Sequence, residues 1–296
     1  MMVEKKSASR IVFVIINTML LALFCFVCIV PFWHVIMASF SDPLALMNGP
    51  SLVFWIQGKG SLEGYKIVLA STRLWRTYLN TFLYVGATAV LGVFITAIAG
   101  YLLSRKEFKL RKFLTMFIMF TMVFNGGTIP TYIIVRSLGL TNTPLAIILP
   151  SLTSAYFCIM AKAAFESLPE SFTEAAELDG AHPMVILFKI LFPLVMPTMA
   201  VIAMFLVVMQ WNNWYSSYMY LPRAEEWWSL QMYMREVTIK NNMSAIIQSG
   251  GTVESALNAT LVKYCVVIVG TLPVLAIYPF MQRYFVTGMA LGGVKE

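Results

Sequence analysis

Residues 81–103 contain no charged side chain. Wound as a helix at 1.5 Å per residue, they are long enough to cross a hydrocarbon core of ~30 Å. Five further apolar runs accompany them, at 11–36, 113–135, 145–161, 194–209 and 261–285. Hydrophobic residues make up 59% of the chain and charged residues 12%, with a mean hydropathy of +0.77. A soluble domain carries roughly 45–50% apolar and about 25% charged residues. The solvent for most of the chain is therefore lipid. The sequence predicts an all-α integral membrane protein with six transmembrane helices in a single domain, 1–296, with no soluble appendage.

Lys5, Lys6 and Arg10 precede the first run against Glu4. That run is too long for a signal peptide and no small-residue cleavage pattern closes it, so it reads as an uncleaved first span. The short loop 104–112 carries Arg105, Lys106, Lys109, Arg111 and Lys112 against Glu107. Six spans place both termini on one side, and the basic loop shares that side. The positive-inside rule makes it cytoplasmic. Lys59, Lys66, Arg73 and Arg76 cut against this, since their loop falls outside. Gly86, Gly92 and Gly100, with Ala87, Ala89, Ala97 and Ala99, give the second span small faces for close packing. The third span is interrupted by Asn125-Gly126-Gly127 and Pro130. Lipid penalises unpaired backbone groups, so the break should face protein or a water-filled path.

Several chemistries are missing. No span interior holds an Asp or Glu, where a proton- or sodium-coupled carrier usually places ion ligands. There is no H-E-x-x-H, no G-x-S-x-G and no metal-ligand cluster, so no catalytic or metal site is expected. Gly58-Lys59-Gly60-Ser61 is not a phosphate loop, because Val53 stands where the earlier glycine must be. Cys25, Cys28, Cys158 and Cys265 lie inside apolar runs and read as small hydrophobes. The net charge of +7 belongs to cytoplasmic loops, and no nucleic-acid signature accompanies it. If transport is active, its energy enters through another subunit.

Between the fourth and fifth runs lies an acidic island, 166–193. Ser167 and Glu170 have capping-box spacing, and Pro169 suits a first helical turn. Phe172, Ala175, Ala176 and Asp179 share one small, mostly apolar face. Gly180 can end that helix in a left-handed cap, and Pro183 sits where a second helix could start. Glu174-Ala175-Ala176, Gly180, Ile190 and Pro193 together resemble the EAA loop of bacterial ABC importer permeases, with Phe192 where that family usually has Leu.

The resemblance extends along the chain. Thr131-Tyr132, Leu138-Gly139-Leu140, Leu168-Pro169-Glu170 and the tail from Tyr284-Phe285-Val286-Thr287-Gly288 to Gly292-Gly293-Val294-Lys295 are similar to the second permease of maltose-type carbohydrate importers. Trp211-Asn212 and Leu230-Gln231-Met232 resemble the branch that imports complex oligosaccharides, including uronate-containing ones such as alginate fragments. This resemblance implies a type I ABC importer permease fold in a bacterial inner membrane. It implies a coupling helix formed by Glu174, Ala175, Ala176, Asp179, Gly180, Ile190 and Pro193, and a tail, 286–296, that reaches the ATPase through Gly288, Gly292, Gly293 and Lys295. It implies as partners a second permease, two ATPase subunits that bind the ATP and Mg, and an extracytoplasmic sugar-binding protein. This chain itself would hold no cofactor. The alternative is a secondary transporter or channel with no ATPase partner.

Aromatic and amide groups suit sugar faces and hydroxyls, so Trp211, Asn212, Asn213 and Tyr218 are candidates for the substrate path. An interfacial aromatic belt explains the same residues. Lys59, Lys66, Arg73 and Arg76 outweigh Asp42 and Glu63 in the outer loop 41–80, which favours an acidic oligosaccharide.

Overall fold

The computed structural model describes residues 8–240 and 253–293, and no strand occurs among them. Three helices are long and apolar enough to cross a membrane, Ser9–Ser39, Thr72–Ser104 and Leu257–Ala276. Three bent helix pairs pass the same test, giving up to six crossings if each pair is one span. The chain divides into two compact units, 1–71 with 236–271 and 72–235 with 272–296.

The first unit begins with α1 (Ala8–Ser39), whose outward faces are apolar nearly throughout. Asp42 caps α2 (Pro43–Asn48) by accepting from the Leu44 and Ala45 amides. α3 (Glu63–Ala70) follows. His34 Nδ1 accepts from the Val53 amide at 3.0 Å, while Trp33 donates to the Phe54 carbonyl at 2.9 Å. These two bonds tie the 49–61 loop to the end of α1. The Ser39 hydroxyl meets the Tyr65 hydroxyl at 2.8 Å, and burial pushes the Tyr65 phenol above its ordinary pKa.

The second unit is built around α4 (Thr72–Ser104), which starts earlier than the uncharged run because residues 72–80 continue the helix. α4 packs along α8 (Ala155–Glu166) and α12 (Met196–Trp211). Gly92 and Gly100 permit this approach. A Cβ on Gly92 would strike the Leu152 carbonyl and lie 2.8 Å from Leu206 Cδ1; one on Gly100 would lie 2.5 Å from Ala161 Cβ. Gly86 has no neighbour of this kind within the chain.

The bends have local causes. α5 (Arg111–Val123) and α6 (Thr128–Ser137) meet at 118° across the Asn-Gly-Gly break. There Gly127 takes φ +88° and its amide donates to Asn125 Oδ1 at 2.8 Å. Residues 121–130 are exposed on this chain. α7 (Leu145–Ile148) tightens into a 3₁₀ turn containing Pro150, and Ser154 then caps α8. α9 (Ser171–Leu178) and α10 (Pro183–Val185) lead through a π-helical turn, Ile186–Leu191, to α11 (Phe192–Leu194). The segment Pro183–Leu194 meets α12 at 86°.

Beyond α12 come α13 (Tyr215–Tyr220), α14 (Leu230–Lys240) and α15 (Val253–Gly293), which contains Pro273 and Pro279. The first turns of α4 hold the 221–230 segment by side-chain bonds. Asn80 donates to the Glu226 and Trp228 carbonyls, Tyr84 donates to the Trp227 carbonyl at 2.6 Å, and Thr81 Oγ1 accepts from the Leu230 amide at 2.8 Å.

Candidate functional site

α9 begins at Ser171 without a capping box. Ser167 Oγ instead turns back to donate to the Ala164 carbonyl at 2.7 Å, closing the end of α8, and Glu170 takes the cap position without a side-chain bond to the α9 amides. The short Leu168-Pro169 link leaves Ser167 too close to α8 to serve the next helix.

The C-terminus of α9 follows from one glycine. Gly180 has φ +75°, its amide donates to the Glu177 carbonyl, and the Ala181 amide reaches back to the Ala176 carbonyl at 2.9 Å. This pair of bonds is a Schellman cap, which needs a residue at ease in the left-handed region. The chain then reverses into α10, with Pro183 at its first position and His182 accepting from the Met184 amide.

The faces of α9 divide differently from the sequence pattern. Thr173 and Ala176 are buried, and Ala176 belongs to the apolar cluster that contains Phe157, Phe165, Ile186, Met199 and Leu206. Ile190 packs against the same cluster. Phe172, Ala175 and Asp179 are exposed, as are Glu174, Gly180 and Pro193, and Leu178 is 89% exposed. The helix thus roots one side in the core of the spans and offers Phe172, Ala175 and Leu178 outward.

The basic loop after α4 meets α9. Arg105 donates to Glu177 at 2.7 Å and also pairs with Glu107 at 3.2 Å; Lys106 pairs with Glu170. A polar cavity of about 350 Å³ lies between this loop and α9, lined on the α9 side by Thr173, Glu174 and Glu177.

A second cavity, of about 360 Å³, opens among α4, α8 and α12. Its polar lining is Thr88, Ser151, Thr153, Ser154, Gln210 and Asn213. Thr88 is 1% exposed and its hydroxyl has no hydrogen-bond partner among the described residues. A buried hydroxyl without a partner costs about 1–3 kcal/mol, so the cavity suits a polar occupant.

The four residues proposed for a substrate path separate. Asn213 lines this cavity. Trp211 is buried with its ring 5.6 Å from Phe82, and its indole N–H has no partner. Asn212 is exposed and donates to the Val208 carbonyl of its own helix at 2.9 Å. Tyr218 lies farther on, beside Trp214, with the Arg235 guanidinium 4.5 Å from the Trp214 ring and 5.0 Å from the Tyr218 ring. Arg235 has no carboxylate partner among the described residues. Thr88, Gln210 and Arg235 had no distinguishing sequence signal beyond the polar character of 210–213.

Gly288, Gly292 and Gly293 fall on the last turns of α15, whereas Lys295 lies outside the described residues. The basic charge of the 41–80 loop is partly cancelled: Arg73 pairs with Glu225 at 2.6 Å and lies 4.8 Å from the Trp228 ring.

A family model described as the binding-protein-dependent transport system inner membrane component matches residues 92–291. The polygalacturonan/rhamnogalacturonan transport system permease protein YtcP of Bacillus subtilis is 34% identical over 277 residues, 93% of this chain and 95% of that protein. The arabinooligosaccharides transport system permease protein AraQ of Halalkalibacterium halodurans is 25% identical over 279 residues, 93% of this chain and 94% of its own length. One solved structure, of a bacterial ABC transporter involved in the import of the acidic polysaccharide alginate, contains a chain that superposes with a TM-score of 0.83. The two are 29% identical, over 95% of this chain and 99% of that one.

Proposed function

The chain belongs to the family of binding-protein-dependent transport system inner membrane components, and from that premise we propose that it is a permease subunit of an ATP-driven oligosaccharide importer, with acidic oligosaccharides favoured. The observation that carries this reading is α9: its buried side is continuous with the packed core of the spans, and its other side exposes Phe172, Ala175 and Leu178 among carboxylates. A rigid element of that kind passes a push from a bound protein into α8 and α12 without bending.

In this reading ATP and Mg bind on the separate ATPase subunits, α9 and the end of α15 dock there, and the side carrying α9 is cytoplasmic. A second permease covers the exposed break at Asn125-Gly126-Gly127, where the helical backbone is interrupted and lipid would penalise any group left without a partner. The hydroxyl- and amide-lined cavity forms this subunit's share of the sugar path. The acidic preference is supported by the names of two similar proteins, one for polygalacturonan and one for alginate. Arg235, with no carboxylate partner among the described residues, adds a cation against the rings of Trp214 and Tyr218.

The test is ATPase stimulation of the reconstituted complex with its binding protein, comparing uronate oligosaccharides with neutral ones of equal length. Stimulation by the uronates is expected. Stimulation by neutral sugars alone overturns the acidic preference, and stimulation only by a peptide or amino acid overturns the carbohydrate assignment.

A further inference from the structure

A third groove on the second unit lies apart from the cavity around Thr88 and shares only Arg111 and Glu166 with the cavity beside α9. It runs between α5 and α8 and encloses about 590 Å³. Its two ends differ in chemistry. One end carries Arg111 and Lys112 at the start of α5 and Lys162 near the end of α8. Lys162 is balanced by Glu166, with both carboxylate oxygens 2.7 Å from its Nζ. Lys112 is exposed and has no carboxylate partner among the described residues, and Arg111 makes only a long contact of 3.5 Å to the Ser104 carbonyl. The end therefore keeps a net positive charge.

The remaining wall is a stripe of Met116, Met119, Phe120 and Val123, at successive helical spacings on one face of α5. Thr115 also lines the groove, and its buried hydroxyl has no partner.

We propose that this groove holds an anionic phospholipid, its phosphate on Arg111 and Lys112 and an acyl chain along the methionine stripe. Three observations select that occupant over a protein helix. The polar-to-apolar division runs along the helix axis, as an amphiphile requires, and not around it. From Lys112 to Val123 a helix rises ~16 Å, about the depth of one leaflet of a ~30 Å core. The stripe then stops, because α5 ends at Val123 and the chain turns by 118°. Basic pockets between membrane helices recognise anionic headgroups by the same charge complementarity.

The experiment uses the whole importer purified from a membrane containing phosphatidylglycerol and phosphatidylethanolamine. Retained lipid is counted by native mass spectrometry. In the double variant Arg111→Gln, Lys112→Gln, retained phosphatidylglycerol should fall about tenfold relative to the parent, with phosphatidylethanolamine unchanged. Lys59→Gln, Lys66→Gln removes the same charge elsewhere and should leave retention as it was. Equal loss in both double variants, or none in either, overturns the proposal. A photoreactive group at Met119 should capture labelled phosphatidylglycerol. Capture of the second permease there instead would show that the groove is a protein interface and overturn the lipid assignment.

Discussion

The guanidinium of Arg105 donates to the carboxylate of Glu177 at 2.7 Å, although 72 residues separate them in sequence. Arg105 leaves the end of α4 and Glu177 is on α9, so the pair fixes α9 to the span at the centre of its unit. Both side chains are partly exposed, and such a pair contributes about 0.2–1 kcal/mol to stability. Its consequence should appear in coupling. Arg105→Glu is expected to uncouple ATP hydrolysis from transport with assembly intact, and adding Glu177→Arg should restore a large part. A double variant no better than the single one would show that the pair has no mechanical part.

Gly180 is a backbone requirement. No atom lies within 4 Å of a Cβ placed there, so space is available, but φ is +75°. A leucine held in that conformation costs ~1–2 kcal/mol. Gly180→Leu should reduce sugar-stimulated ATPase activity severalfold in a complex that still assembles. Unaltered stimulation at normal assembly would remove α9 from the coupling role.

Much of this was legible in advance, and the reason is physical. The apolar runs follow from transfer from water to lipid, which depends on composition and not on tertiary contacts. The Gly180 cap and the Asn125-Gly126-Gly127 break are local, set by backbone freedom at single residues. The loss of the capping box expected at Ser167 was not legible, because two helix ends compete for one hydroxyl and it bonds the carbonyl of the preceding helix. The Arg105–Glu177 pair and the cavity around Thr88 are long-range products of packing α4 on α8 and α12. A threonine or glutamine in an apolar run carries no mark of which helix it will face. Arg73 illustrates the converse: the sequence counted it as free outer charge, and its partner Glu225 lies in a distant loop.

Gly92 tests that packing directly. A methyl group there meets the Leu152 carbonyl, which belongs to the turn between α7 and α8 and cannot rotate away. Gly92→Ala should destabilise the complex by about 1–3 kcal/mol through overpacking. A lowered Tm of the purified complex in detergent would register it. An unchanged Tm would mean that α4 and the Leu152 turn are not in close contact.

Orientation is open to chemical labelling. In a background lacking Cys25, Cys28, Cys158 and Cys265, a cysteine at exposed Ser171 should resist a membrane-impermeant thiol reagent in intact cells. One at exposed Lys59 should react. The reverse pattern would place α9 outside and end its assignment as the ATPase contact.

Arg235 offers the sharpest test of substrate charge. Its guanidinium lies against the Trp214 and Tyr218 rings; Tyr218 is exposed, as is Tyr215, whose ring meets Trp214 at 5.5 Å. α12 leads away from the Pro183–Leu194 segment and ends just before this group, so it lies at the opposite end of that span from α9's attachment. Aromatic rings offer a face to a pyranose, and a guanidinium offers paired donors to a carboxylate. Arg235→Gln keeps a polar side chain and removes the charge. With uronate oligosaccharides, half-maximal stimulation of ATPase activity should then need roughly tenfold more substrate-loaded binding protein, the scale of one charged hydrogen bond of about 1.5–3 kcal/mol discounted for partial exposure. Neutral oligosaccharides that also stimulate the parent should be unaffected. An equal loss for both sugars would assign Arg235 to packing around Trp214, and no loss for either would leave the acidic preference to the partner permease or the binding protein.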